Sequence, residues 1–181
     1  MFKFIIRGMG YQGRESVDSD VMRTEVMREF PYHEPKEVRF RYNDDYAVVH
    51  CAKYPATDLN CKVSTIPKYM EKDRLEFQML LNPIDSYQGK KRPILKLADV
   101  SKWIVKKAMK NGFEIKTIDG LVKMGAITGK KIKNGKTELL THNAVDVRGT
   151  LEVTDANLFY EALCSGVGPG KGYGFGVIEV L

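Results

Sequence analysis

The residues best suited to chemistry lie in a glycine-rich stretch near the carboxyl end, Gly166 to Gly176, where six glycines alternate with other residues around Lys171. Glycine allows backbone angles and close approaches that a Cβ would block. Such a loop can press its amide groups against a bulky anion, and the lysine adds a positive charge. The stretch predicts an anion-binding loop; the alternative is a glycine hinge that binds nothing.

This loop matches neither of the two common phosphate-binding glycine motifs. A Walker loop has glycine five residues before its Gly-Lys pair and Ser or Thr after it, where this chain has Ser165 and Gly172. A dinucleotide-binding loop leads from a strand into a helix. Here residues 155–165 predict a helix that Asp155 caps and Gly166 follows, and residues 177–181 predict a final strand.

Basic residues concentrate in the same half of the chain. Between Lys90 and Lys136 the only acidic residues are Asp99, Glu114 and Asp119. The basic residues form a segment before a predicted helix, the outer side of that helix, and a predicted hairpin tip: Lys90, Lys91 and Arg92; Lys102, Lys106 and Lys110; Lys130, Lys131, Lys133 and Lys136. Lysines contact phosphates without reading sequence, so this layout favours nucleic-acid binding over a merely solvated surface.

Composition limits the classes of protein to which the chain can belong. The net charge of +6 suits an anionic partner, and the 43% apolar content is that of an ordinary globular protein. No apolar run reaches membrane-spanning length and no signal peptide is recognisable, so we expect a cytoplasmic protein without membrane contact. The three cysteines and three histidines form no zinc-binding pattern, and we expect no metal and no other cofactor.

Hydrophobic periodicity predicts an α+β protein made of two ferredoxin-like (βαββαβ) domains in tandem. The first, over residues 1–73, is reduced: it has strands and a helix over Ser19–Phe30, but no recognisable second helix. The second, over residues 74–181, has the order strand, helix, strands, helix, strand more completely.

Several boundaries within the second domain follow from local signals. Leu97–Asn111 predicts a helix that Gly112 terminates, and Asp85–Pro93 has the composition of a polar loop. Phe113–Ile118 and Leu121–Ile127 predict two strands, and Asn134-Gly135 marks the turn of the hairpin that follows.

Three segments of the chain together resemble the CRISPR repeat-RNA endoribonucleases of Cascade systems, the CasE family. They are the strand Leu75–Pro83 before the basic segment, the stretch Gly149–Asp155, and the glycine-rich stretch with the strand that follows it, Gly166–Ile178. The resemblance covers most of residues 74–181 and rests on element order over residues 1–73. It implies two ferredoxin-like domains side by side.

The resemblance also implies a function. Members of this family bind a CRISPR repeat hairpin within Cascade and cut it at its base without metal, by attack of a 2′-hydroxyl on the neighbouring phosphate. For this chain it implies RNA contacts at Gly168, Gly170 and Lys171, and at Lys90, Lys91 and Arg92, with a second contact from Lys130, Lys131, Lys133 and Lys136.

The catalytic residues of the family are not carried over in the same way. In the family, a histidine helped by a tyrosine lies on the first helix and faces the glycine loop. Here the corresponding positions hold Met22 or Arg23, and Ser19 or Asp20. Arginine can stabilise a phosphate but cannot act as a base. The catalytic candidates are therefore Arg23 on the helix, and Tyr11 and His33 on either side of it.

These observations leave three hypotheses. In the first, the chain binds and cleaves a CRISPR repeat stem-loop with residues outside the usual pair. In the second, it is a non-cleaving relative that holds the hairpin as a subunit of a complex or as a decoy. In the third, it is an unrelated ferredoxin-like domain whose basic face binds an acidic protein.

Overall fold

The computed structural model describes residues 1–9, 18–31, 33–34, 37–43, 45–54, 61–133 and 136–181. It is an α+β fold with two four-stranded antiparallel sheets and one separate two-stranded hairpin. No helix in these ranges is long and apolar enough to cross a membrane.

The first sheet is built from the amino-terminal part of the chain. Its elements are β1 (Phe2–Arg7), α1 (Ser19–Glu29), β2 (Arg39–Tyr42), β3 (Tyr46–Cys51) and β4 (Cys61–Thr65). The strand order is β2-β3-β1-β4, with β1 antiparallel to both of its neighbours. This is the ferredoxin-like order, and α1 is the one helix of this unit within the described residues.

The second sheet repeats this order with two helices and an insertion. Its elements are β5 (Arg74–Leu81), β6 (Ile84–Tyr87), β7 (Lys90–Pro93), α2 (Leu97–Met109), β8 (Phe113–Lys133), β9 (Lys136–Val153), α3 (Ala156–Ser165) and β10 (Ile178–Val180). The strand order is β10-β5-β9-β8, and β6 and β7 form the separate hairpin. The predicted fold class, two ferredoxin-like units in tandem, is confirmed. The predicted boundary between residues 73 and 74 stays a prediction.

Helix α1 begins and packs as its sequence dictates. The Asp18 carboxylate accepts a hydrogen bond from the amide of Asp20 (2.8 Å), which caps the first turn. Met22 and Val26, one turn apart, are buried with Phe30 against the first sheet, whereas Val21 is exposed. The helix therefore buries one face and presents the other to solvent.

Two segments of the second unit differ from the prediction. Asp85–Pro93 was expected to be a loop, but it is mostly a hairpin whose turn, Gln88-Gly89, has both residues in the left-handed region (φ 49° and 74°). Such a turn matches the twist of paired strands, and the polar composition hid it. The two strands expected over residues 113–127 are one strand, β8, because local register shifts absorb the interruptions near Gly120 and Gly125.

A third, smaller apolar cluster lies apart from the two main cores. Leu80, Ile127, Ala144 and Phe175 are buried together on the side of the second sheet opposite its main core. On β5 the alternate residues Phe77 and Leu81 enter the main core, so both faces of this strand are covered. The glycine-rich stretch, through Phe175, thereby becomes part of the packed interior.

Candidate nucleic-acid interface

Helix α1 is tied by its first turn to strand β8. The Ser19 hydroxyl donates a hydrogen bond to the carbonyl of Thr128 (2.7 Å), and the Asp20 carboxylate accepts one from the amide of Lys130. These contacts join residues more than a hundred positions apart and bring the helix beside the base of the lysine-bearing hairpin of β8 and β9.

The glycine-rich stretch meets α1 at the same place. The Arg23 guanidinium lies over the Tyr173 ring, 5.5 Å from its centroid, and the Tyr173 hydroxyl donates to the carbonyl of Lys130 (3.2 Å). Arg23, Tyr173 and Lys130 therefore bring three elements to one point. Neither spacing nor periodicity identified Tyr173, because an aromatic residue between glycines gives no signal of its role.

The glycine-rich stretch is a fixed loop. The amide of Val167 donates to the carbonyl of Gly176 (2.7 Å), and the amide of Gly176 donates to the carbonyl of Leu80 (2.8 Å). Gly170 (φ 86°) and Gly174 (φ 90°) are left-handed and flank a 3₁₀ turn over Lys171–Tyr173. Both ends of the loop are buried, and its middle is partly open to solvent.

A buried histidine, His142, lies beneath this loop. Its ring centroid is 5.0 Å from that of Tyr173 and 5.1 Å from that of Phe175. The Asn82 amide oxygen accepts from the amide of Asn143 (3.1 Å), so the Asn82 nitrogen faces His142 Nδ1 (2.9 Å) and donates to it. The proton of the neutral ring then lies on Nε2, which has no partner among the described residues.

The charge state of His142 follows from its surroundings. Burial lowers its pKa below the ordinary value of histidine, and the Asp20 carboxylate opposes this in part. His142 is thus a neutral ring that accepts a hydrogen bond at Nδ1 and carries an unpartnered N–H at Nε2 among the described residues. The sequence gives no signal for it, since an isolated histidine on a strand belongs to no motif.

Of the three predicted catalytic candidates, the two that the structure describes, Arg23 and His33, do not come together. Arg23 lies on the solvent side of α1 beside Tyr173, while Tyr11 lies outside the described residues. His33 is buried against Phe30 (ring centroids 5.7 Å apart) and lines a different cleft, with Arg39 and Cys164.

The first basic segment projects from the β6–β7 hairpin. Lys90, Lys91 and Arg92 are exposed on β7. Trp103 of α2 anchors this hairpin, because its indole N–H donates to the carbonyl of Ile84 (3.0 Å). An open cleft beside Trp103 is lined by four basic residues and two carboxylates: Arg92, Lys96, Lys102 and Lys106, with Asp85 and Asp99.

The second basic segment is the hairpin of β8 and β9. Lys130 and Lys136 are exposed, and Lys133 pairs with Lys136 at the end of the ladder. The backbone of Lys131 and Lys133 belongs to β8, while their side chains lie outside what the structure describes.

Lys171 faces other cations. It is half-buried, and its pKa is lowered chiefly by that burial and further by repulsion from Arg39 and Lys107. Gly168 sits directly on Trp103, since a Cβ at Gly168 would lie 2.9 Å from the indole ring. Arg39, from the first sheet, was not predicted as part of any site.

Among the described residues, no group of three or more His, Cys, Asp or Glu side chains could hold a metal ion.

The fold and the site define a protein with two ferredoxin-like units in tandem and a lysine-bearing glycine loop where they meet. Solved structures share this fold. The CRISPR endoribonuclease Cse3 bound to a 19-nucleotide RNA superposes with a TM-score of 0.77 at 18% identity, over 100% of both chains. Thermus thermophilus Cse3, bound to an RNA representing a pre-cleavage complex, gives 0.70 at 17% identity, over 99% of this chain and 98% of that one.

A chain of the Escherichia coli Cascade complex bound to a PAM-containing double-stranded DNA target gives a TM-score of 0.59 at 14% identity, over 99% and 98% of the two chains. No curated protein sequence matches the chain significantly. The sequence profile of the CRISPR-associated protein family matches residues 14–181, and the chain belongs to this family. The resemblance seen in the sequence is thereby confirmed.

Proposed function

We propose that the chain binds the stem-loop of a CRISPR repeat RNA and cleaves it as an endoribonuclease that matures CRISPR RNA. Its partners are then a structured RNA and the other subunits of a Cascade-type complex, and its place is the cytoplasm where such RNA is transcribed. Support comes from the family and from the shared fold of Cse3 structures that hold RNA.

The observation that carries this proposal is the convergence of α1, the glycine loop and the lysine hairpin at Arg23, Tyr173 and Lys130. A folded RNA placed against this point would meet cations from the helix and the hairpin and the backbone of the loop. Such contacts bind phosphates regardless of sequence, and a stem-loop would be selected by its shape.

Cleavage by a 2′-hydroxyl requires positioning, charge stabilisation and proton transfer. In our proposal Arg23 stabilises the negative charge that develops on the phosphate, and the loop holds the 2′-oxygen in line with the leaving 5′-oxygen. The reaction needs no metal. Tyr11 and His33 stay candidates for proton transfer, and the Tyr173 hydroxyl, beside Arg23, joins them.

A non-cleaving RNA-binding subunit or decoy is the second candidate function. It is favoured by the position of Arg23, because an arginine stands where proton transfer needs a titratable group. It is also favoured by the burial of His142, whose lowered pKa and hidden Nε2 suit hydrogen bonding better than proton transfer.

Incubation of the protein with labelled repeat stem-loop RNA in EDTA separates the candidates. We expect cleavage of the normal RNA and none of an RNA with a 2′-deoxy substitution at the cut site. Arg23→Ala should slow cleavage by roughly a hundredfold, the usual effect of removing one donor to a transition-state oxyanion. Arg28→Ala, at an exposed position farther along the same helix, should leave the rate unchanged.

The remaining outcomes each point to one conclusion. Tight binding without product favours the non-cleaving subunit. A lack of affinity for any stem-loop contradicts both candidates and supports a basic domain that binds an acidic protein. If cleavage persists in Arg23→Ala, Tyr173→Phe, Tyr11→Phe and His33→Ala alike, the reacting groups lie elsewhere.

A further inference from the structure

A cleft of about 300 Å³ between the two units includes none of the residues predicted to contact RNA. His50 of β3 lines it, whereas the preceding residue, Val49, packs with α1. Because successive residues of a strand point to opposite faces, the cleft lies on the face of the first sheet that α1 does not cover. Its volume is at the lower end of those that hold small molecules.

The walls of this cleft are mostly apolar. Leu163 of α3 and Ile178 of β10 are buried, and Val180 is half-buried. Ile66 and Pro67, in the segment that joins the two sheets, complete the lining on one side. A ligand in this cleft would therefore bury an apolar body and would contact both units.

The polar side chain buried most deeply in the cleft is that of His50, which is 2% exposed. Its Nδ1 lies 2.9 Å from the carbonyl oxygen of Leu163, which can only accept, so Nδ1 carries the ring proton. Burial lowers the pKa of His50 to about 4 and so keeps the ring neutral at pH 7. Nε2 is then an acceptor, and it has no hydrogen-bond partner among the described residues. A donor from a ligand would satisfy this atom.

Lys3 and Ser64 lie beside this acceptor. Lys3 of β1 pairs with His50 on one side and with Ser64 of β4 on the other, and both Lys3 and Ser64 line the cleft. A hydroxyl group can donate to Nε2 and at the same time accept from the Lys3 ammonium or the Ser64 hydroxyl, whereas an N–H group can only donate. The polar end of the cleft therefore suits a hydroxyl group.

We propose that this cleft binds a small, mostly apolar molecule with one hydroxyl group, for which phenol is the simplest probe. The apolar body lies against Leu163, Ile178 and Val180, and the hydroxyl donates to His50 Nε2. This inference does not depend on the proposed function, because the cleft shares no residue with the point where Arg23 meets Tyr173.

Two ligands of nearly the same shape test the role of the hydroxyl. Toluene has a methyl group where phenol has its hydroxyl, so it fills the same space but cannot donate. Phenol should bind the full chain about fivefold or more tightly than toluene, the usual effect of one hydrogen bond. The nitrogen NMR resonance of His50 Nε2 should move with phenol and stay in place with toluene. Equal affinities would show that the acceptor is not used, and the proposal would be wrong.

Two matched substitutions test the place of binding. Lys62 and Ser64 are both exposed on the same face of β4, but of these two only Ser64 lines the cleft. Ser64→Trp should fill the mouth of the cleft and abolish phenol binding, whereas Lys62→Trp should leave the affinity unchanged. Binding that persists in Ser64→Trp would place phenol elsewhere on the protein and overturn the proposal.

A substitution of His50 tests the acceptor directly. His50→Asn keeps a donor near the Leu163 carbonyl but removes Nε2, so phenol should lose its advantage over toluene. An advantage that remains in this variant contradicts the proposal. If His50→Asn does not fold, the two ligands and the two β4 variants still decide. If neither compound binds the wild type, the cleft holds water alone and the proposal is wrong.

Discussion

The chain's three histidines are all buried, each in a different environment. His33 is 8% exposed, His50 2% and His142 7%. Both ring nitrogens of His33 and the Nε2 atoms of His50 and His142 are buried and have no hydrogen-bond partner within the described residues. Histidine is the usual proton-transfer residue near neutral pH, but only where it reaches the substrate. At this scale the site is therefore organised by arginine, lysine and tyrosine side chains.

His50 predicts how stability depends on pH. Its Nδ1 lies 2.9 Å from the carbonyl of Leu163, to which it donates, and burial, reinforced by Lys3, lowers its pKa from 6.5 to about 4. His50 therefore takes up a proton below about pH 6.5 in the unfolded chain, but only below about pH 4 in the folded chain. Stability should fall as pH falls, with about 2 kcal/mol lost between pH 7 and pH 5 from this group.

Urea unfolding at the two pH values measures this loss. The control is His50→Asn, which keeps a donor near the Leu163 carbonyl but does not titrate. Its stability should fall by about 2 kcal/mol less than that of the wild type over the same interval. Equal losses would show that His50 is not the group responsible.

At the scale of elements, the glycine loop shows why composition alone describes it poorly. Its glycines have different tasks. Gly176 (φ 85°) is pressed against the backbone of Val167, whereas Gly172 has open space where a Cβ would be. One glycine is required by packing and conformation, and the other leaves the loop open beside Lys171.

Two alanine substitutions distinguish these tasks. Gly176→Ala should lower the free energy of unfolding by at least about 2 kcal/mol, because a left-handed alanine is strained and its Cβ would overlap the Val167 carbonyl. Gly172→Ala should change it by no more than about 0.5 kcal/mol. Chemical denaturation measures the free energy of unfolding of both variants. Equal losses in the two variants would mean that the loop does not hold this conformation.

At the scale of the whole molecule, buried charges join the two units. Arg41 of β2, 1% exposed, pairs with Glu179 of β10 (2.5 Å) and with Asp146 of β9 (3.1 Å). The Tyr46 hydroxyl also donates to Glu179 (3.2 Å), and burial followed by the Glu179 charge raises the pKa of that tyrosine. The first sheet is thus attached to the second through a network centred on the buried Arg41–Glu179 pair.

Arg41→Met should destabilise the protein by about 3–5 kcal/mol, because it leaves the Glu179 carboxylate buried without a counter-charge, while Asp146 keeps its pair with Arg148 (3.4 Å). The comparison is Arg74→Met, which breaks the exposed pair with Glu152 (2.9 Å) and should cost no more than about 1 kcal/mol.

Fluorescence and circular dichroism should follow a single unfolding transition in the wild type, because the units share this buried network. In Arg41→Met the transitions of the two probes should separate. If they separate already in the wild type, the units are energetically independent.

Much of the fold could be predicted from the sequence, because its signals are local. The apolar periods around Met22 and Phe77, the Asp155 cap and the Gly166 terminus each depend on residues within a few positions of one another. The same holds for the glycine loop, whose composition is unusual in itself. The β6–β7 hairpin was missed since its strands are polar and exposed, so apolar alternation gave no signal.

The sequence by itself determined two α+β units, their element order and a lysine-bearing glycine loop. Only the tertiary structure decided which residues share the site: Arg23 with Tyr173, His142 beneath the loop, and Arg39 beside Lys171. The physical reason is that periodicity reports the face on which a side chain lies, but not what covers that face. A pair such as Arg41 and Glu179, far apart in the chain, forms when two sheets exclude water between them, which no local pattern encodes.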